Sequence, residues 1–194
     1  DAIRLVRERG RLMEEAGQQR PGGMVALLGL NEGTAKEICR VTGTEIANIN
    51  CSGQIVISGS KNAISNAIYI ARAKGVRRAI ALEVSGAFHS SLMQWARRGL
   101  DRVISALHFH HPKIPIIANT TAKPLIRANA VRAELQKQIC GCVYWQKSVE
   151  FMRHEGVSIF VELWPGDVLT GLIQRICPDV RAYKLNDLIT LEGA

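Results

Sequence analysis

The sequence is poor in aromatic residues. Phe, Trp and Tyr make up 5% of its 194 residues, and none falls in "GMVALLGL", "TEIANIN", "QIVISGS" or "RRAIALEV", the segments that read as strands of its first half. Stacking platforms for nucleic-acid bases are therefore missing, and no nucleic-acid partner is expected. No apolar run approaches the roughly 20 residues of a membrane-spanning helix. The opening "DAIRLVRERG" has no signal-peptide pattern. The 5 cysteines are an odd number and lack zinc or disulfide spacing; "CGC" (Cys140, Cys142) has no second pair of ligands nearby. Reduced thiols are the expectation, with a cytoplasmic location or, alternatively, an organelle matrix. There is no Walker loop, no G-x-G-x-x-G and no G-x-S-x-G. "HFHH" (108–111) reads as a polar loop past a helix rather than a metal cluster. Nor is there an initiator methionine. The chain opens inside a helical pattern, so the expectation is that it begins partway through something larger.

Among what is present, 47% hydrophobic and 22% charged residues describe one buried core, or one core with a smaller lobe. The net charge of +8 sits in short clusters such as "KGVRR" and "ARRG". Such clusters are usually solvated helix faces, and they also suit an acidic or phosphate-bearing partner.

Residues 1–16 carry Ala2, Leu5, Val6, Leu12, Met13 and Ala16 at three- and four-residue steps, which predicts an amphipathic helix. Arg9 falls inside that stripe. A guanidinium does not shed its proton, so at that position it reaches solvent along its stem, pairs with a structural carboxylate, or meets a ligand carboxylate. After the breaker "GQQRPGG", strands are predicted over 23–30, 44–50, 54–60 and 77–84, with helices over 31–43 and 61–75. The second helix turns Ile64, Ala67, Ile68 and Ala71 to one face. The order β-α-β-β-α-β is that of the ferredoxin-like split unit.

Beyond residue 85, helices are predicted over 91–107 (Leu92, Ala96, Leu100, Val103 and Leu107 inward), 129–139, 145–156 and 167–176, with Asp167 near the start of the last. A short buried strand is predicted at 114–120, and further strands at 158–163 and 181–186. This alternation implies a parallel, helix-covered sheet, and three strands make it look unfinished.

"RLVRERGRLMEEA", "ANINCSGQIVISG", "GAFHSSLM", "PKIPIIANTTAKP", "YWQKSVEFM" and "PGDVLTGLIQRI" occur in this order. Together they resemble the malonyl-CoA:acyl carrier protein transacylases along the whole chain. The resemblance implies an α/β fold: an incomplete α/β-hydrolase-like acyltransferase large subdomain with an inserted ferredoxin-like small one. The boundaries would be 1–17 and 85–194 for the large subdomain and 18–84 for the small. It also implies a two-step transfer of malonyl from coenzyme A to the phosphopantetheine thiol of acyl carrier protein, through an acyl-serine. By motif, His89 corresponds to the base, kept available as acceptor by a helix entrance at the end of a strand. Gln138 corresponds to a residue whose backbone carbonyl orients that base, its side chain being dispensable. Arg9 corresponds to the malonyl-carboxylate receptor, which favours malonyl over acetyl groups. Asn48 and Asn50 correspond to polar cleft residues, although turn-forming asparagines fit as well, and Met13 packs against the arginine. Malonyl-CoA is then a substrate, no cofactor is implied, and a complete protein would be monomeric.

The pattern departs from the family in three places. The serine elbow falls before what corresponds to Asp1, and Ser90 and Ser91 are not expected to replace it, nor Cys140 or Cys142. Cys142 stands where the family usually has proline, and Trp164 where it usually has glycine, which needs space beside the cleft. The isolated chain is expected to be inactive. A non-catalytic module binding coenzyme A or carrier protein is the alternative.

Overall fold

The opening helix α1 (Ala2–Gln19) buries Leu5, Leu12, Met13, Ala16 and Gly17. Val6 departs from the predicted stripe at 68% exposed. Its wheel position lies about 100° from Leu5, and the buried side of α1 is the one shared with Met93, Ala96, Leu100 and Ile104. This computed structural model describes residues 1–163 and 166–185.

The next elements form one unit: β1 (Gly22–Leu28), α2 (Glu32–Thr42), β2 (Glu45–Cys51), β3 (Gln54–Ser60), α3 (Lys61–Ala73) and β4 (Arg78–Ala81). The sheet order is β2-β3-β1-β4, with all neighbours antiparallel. Local signals set the helix ends. Asn31 Oδ1 accepts the Thr34 amide at 2.9 Å, and Gly43 closes α2 at φ 71°, where a glycine costs least. Alternation along the strands sends Val25, Leu27, Ile55 and Ile57 onto Ile38, Ile64, Ala67 and Ala71 of the helices. Met24, Ala26, Ala47 and Val56 on the opposite face pack against Leu82, Val84 and Phe88. β4 is shorter than the predicted 77–84; Leu82 adds one more bond to Met24 O at 3.0 Å before the chain turns away.

After a loop and a three-residue 3-10 turn (Ser91–Met93) come α4 (Gln94–Ser105), β5 (Ile116–Ile117), β6 (Pro124–Leu125), α5 (Ala128–Gln138), α6 (Trp145–His154), β7 (Ile159–Glu162), α7 (Val168–Ile176) and β8 (Arg181–Lys184). The buried strand predicted at 114–120 is corrected. Only two of its residues pair, antiparallel to Pro124–Leu125, and Ile114 is 78% exposed. Instead of a three-stranded parallel sheet, the described residues hold one parallel pair, β7 with β8. Asp167 is the N-cap residue of α7, but its side chain makes no capping hydrogen bond. Glu162 supplies the side-chain acceptor from the end of β7, taking the Leu169 amide at 3.1 Å, the Thr170 amide at 2.8 Å and the Thr170 hydroxyl at 2.7 Å. Trp164 and Asn186 lie outside the described residues.

Candidate functional site

Three segments distant in sequence meet around Gln138, the last residue of α5. A helix leaves its final carbonyls without intrahelical partners, and the Gln138 carbonyl lies 3.0 Å from His89 Nδ1. A carbonyl only accepts, so Nδ1 carries the proton and Nε2 keeps its lone pair. The Gln138 side chain turns the other way and takes Arg9 Nη2 at 2.8 Å through Oε1. Its amide nitrogen donates to Asn119 Oδ1 at 3.4 Å. Arg9 and His89 are thus held by one residue, one through its side chain and one through its main chain.

The loop that carries His89 is strained. His89 has φ 58°, a left-handed conformation that costs a non-glycine residue about 1–3 kcal/mol and persists only where the surroundings impose it. Here Ala87 and Ser90 are buried. Ser90 Oγ donates to Ala87 O at 2.6 Å and accepts the Leu92 amide at 3.3 Å. Ser91 is fastened to Glu45 Oε1 through its amide at 2.9 Å and its hydroxyl at 2.6 Å. Both serines are committed to the turn, and neither bonds the His89 ring. The predicted placement of His89 at the end of a strand is corrected, since β4 stops at Ala81.

Burial, first of all, lowers the His89 pKa. The Arg9 charge adds to this, and the Gln138 carbonyl opposes it. Desolvation is thus the largest influence disfavouring the imidazolium. Arg9 is half-buried, and burial lowers its pKa as well. Among the described residues it pairs with no carboxylate; its polar partner is the neutral Gln138 amide. A cation removed from water beside a neutral acceptor attracts an anion strongly. The unit thus presents an imidazole lone pair beside an uncompensated guanidinium.

Met13 is buried in the core that α1 shares with α4. Asn48 and Asn50 lie on β2, where the register shifts between Ile46 and Asn48 and between Ile49 and Cys51. There β2 receives Val143 through Ile49 N to Val143 O at 2.9 Å and Val143 N to Ala47 O at 2.8 Å. Neither asparagine side chain bonds Arg9, His89 or Gln138. Burial pushes the Cys140 and Cys142 thiols up to about 11, the reverse of nucleophile activation. His111 Nδ1 accepts the Ala128 amide at 3.2 Å at the start of α5. No described group of three His, Cys, Asp or Glu residues converges on a metal position.

The Gln138 side-chain contact and the role of Asn119 are invisible in the sequence, because the partners are 129 and 19 residues away. The one local hint is that α5 buries none of its residues fully, so its polar side chains are free to serve neighbours.

The chain matches the acyl transferase domain over residues 1–189. It is 37% identical over 198 residues to a malonyl CoA-acyl carrier protein transacylase of Staphylococcus aureus (strain MRSA252), covering 100% of this chain and 64% of that protein. An acyl carrier protein S-malonyltransferase from Vibrio cholerae superposes with TM-score 0.93 at 33% identity, over 99% of this chain and 64% of that one. A malonyl-transacylase solved in complex with a type II PKS acyl-carrier protein gives TM-score 0.94 at 36% identity, over 100% of this chain and 65% of that one. The chain thus spans about two thirds of the length of these relatives, 64% of the first. It belongs to the acyl transferase domain family.

Proposed function

We propose that this chain supplies the base and the acyl-carboxylate receptor of a malonyl-CoA:acyl carrier protein transacylase, whose nucleophilic serine comes from outside the 194 residues. The observation that carries this reading is the shared anchoring of His89 and Arg9 on Gln138. In this scheme a serine hydroxyl attacks the malonyl thioester carbonyl while His89 Nε2 takes its proton. The tetrahedral oxyanion collapses, the C–S bond breaks, and coenzyme A leaves as the thiol with the proton from the imidazolium. The carrier-protein thiol then gives its proton to Nε2 and attacks the acyl-serine ester, and the serine recovers the proton as it leaves. Throughout, Arg9 holds the distal carboxylate, which an acetyl group lacks.

The name of the relative solved with an acyl-carrier protein supports that partner, and the net charge of +8 suits an acidic one. Residues 18–84 read as a ferredoxin-like small subdomain, supported by the β2-β3-β1-β4 order. Residues 1–17 and 85–194 then belong to an α/β-hydrolase-like large subdomain. Asn48 and Asn50 are assigned to the cleft wall, and Met13 packs behind Arg9.

Calorimetric titration tests the reading. The chain should bind malonyl-CoA at least roughly tenfold more tightly than acetyl-CoA, and Arg9→Met should erase the difference. Equal affinities in the unaltered chain sink it. A second reading, a binding module without chemistry, is favoured by the engagement of Ser90 and Ser91 in the turn. A labelled acyl-enzyme detected by mass spectrometry on this chain alone would exclude it, along with the assignment of the nucleophile to another segment.

A further inference from the structure

We infer that the side chain of Gln138, oriented by Asn119, is a positioning residue that presets the Arg9 guanidinium for a carboxylate-bearing acyl group. The inference rests on the malonyl reading above and deepens it, giving the Gln138 side chain a role of its own. It replaces the expectation that this side chain is dispensable.

A guanidinium has donors only, so the Gln138 amide must face it with oxygen. An amide left to itself flips between its two ends. Here the Nε2 end has an acceptor of its own in Asn119 Oδ1, at 3.4 Å, which makes the oxygen-forward orientation the one with both ends satisfied. Asn119 is itself fixed. Its carbonyl accepts the Tyr144 amide at 2.8 Å. The adjacent Thr120 bonds Glu134 of α5 through its amide at 2.9 Å and its hydroxyl at 2.6 Å. The strut therefore runs from a braced loop through Asn119 and Gln138 to Arg9.

The neutrality of the strut matters as much as its geometry. A glutamate at this place would aim Arg9 equally well and cancel its charge in a buried ion pair, leaving little attraction for a ligand anion. Glutamine removes rotational freedom from the guanidinium and leaves its charge available. Because the His89 contact uses the main-chain carbonyl, neutral side-chain substitutions at Gln138, which leave the Arg9 charge in place, separate acyl selectivity from the state of the base.

The test measures malonyl-CoA and acetyl-CoA dissociation constants by calorimetry for the full chain, Gln138→Met and Gln138→Glu. The His89 ring nitrogens are followed by NMR, and folding is checked by circular dichroism. Gln138→Met should weaken malonyl-CoA by roughly tenfold, the loss of one charge-assisted bond. It should move acetyl-CoA by less than about twofold and leave Nδ1 as the protonated nitrogen. Gln138→Glu keeps shape and length, and so reports even if the methionine variant fails to fold; it should cost malonyl-CoA more than the methionine does. An unchanged malonyl-to-acetyl ratio in the folded variants, or an equal loss for both ligands, overturns the inference while leaving the malonyl reading standing. A lack of discrimination in the unaltered chain overturns both.

Discussion

Val25, Leu27 and Ile57 of the four-stranded sheet are wholly buried, whereas Ile159, Val161 and Leu163 around the β7–β8 pair keep 49%, 42% and 72% of their surface exposed. Both sets are aliphatic. What differs is closure. In the first region hairpin and crossover bring four strands together within residues 22–81, and two capped helices cover one face. In the second, burial comes from helices: α1 against α4 around Leu12, Met93 and Leu100, and α6 against α7 around Val149 and Ile173. A sheet strand contributes through what packs on it, so apolar content alone does not tell how much a residue stabilises. The contrast predicts that Leu27→Ala costs about 2–5 kcal/mol in urea unfolding. Val161→Ala should cost less than about 1 kcal/mol. Comparable losses would show that β7 is packed more deeply than its exposure indicates.

The seam between the regions is the next place to strike. Gly17 of α1 lies so close to the His89 loop that an added Cβ would meet Ser85 O at 2.4 Å, and the adjacent Gly86 Cα lies at 3.3 Å. Backbone cannot step aside as a flexible side chain does, so Gly17→Ala should destabilise by about 1–3 kcal/mol. It should also broaden the His89 ring resonances. Gly10 of the same helix meets nothing within 4 Å, so Gly10→Ala should be stabilising by a few tenths of a kcal/mol up to about 1 kcal/mol. If the two glycines behave alike, the seam is not tight.

The same contrast separates what the sequence reveals from what it hides. Every element of 22–81 follows from short-range signals: alternation in "GMVALLGL", the Asn31 cap, the Gly43 stop. His89 and Arg9 were also within reach, one by its motif and one as a cation in an apolar stripe. The stretch "IPIIAN" misleads because an apolar run describes a strand without saying whether anything covers it. Val6 misleads because the buried arc of α1 is set by α4, which no local pattern records. Ile104, fully buried, falls between the residues that mark the predicted stripe of α4. The left-handed His89 and the Gln138 strut arise from contacts between residues far apart in sequence, where local preference is silent.

Glu162 sharpens the comparison at smaller scale, since it is the polar fastening in the region whose sheet is least covered. Burial acts to raise its pKa, but the Thr170 amide and hydroxyl and the Leu169 amide outweigh burial and lower it from 4.5. A carboxylate depressed in the folded state contributes stability that is present above its unfolded value and is lost as pH falls through the folded one. Glu162→Gln should therefore cost about 1 kcal/mol at pH 7, as lost helix caps do. The gap to the unaltered chain should begin to narrow below about pH 4.5 and close only as pH falls through the lower folded value. A gap that persists at a pH low enough to protonate the native carboxyl as well would mean that the substitution acts through shape and not charge.

The smallest effect is expected at an arginine with three bonds to carboxylates. Arg11 reaches Glu8 through Nε at 2.9 Å and through Nη2, and Glu15 through Nη1, all on the exposed side of α1. Two residues earlier, Arg9 has one bond to a neutral amide and is half-buried. Exposed pairs gain little, since water already solvates both charges and salt screens what remains. Arg11→Ala should therefore leave the urea midpoint almost where it was, and any small shift should shrink in high salt. Arg9→Met, in contrast, removes a half-buried cation that pairs with no carboxylate among the described residues, so it should leave the fold as stable or make it more so while abolishing the proposed preference for malonyl-CoA. If Arg9→Met destabilises the helix and Arg11→Ala does not, Arg9 is serving the fold, and its availability to a ligand carboxylate is lost as an argument.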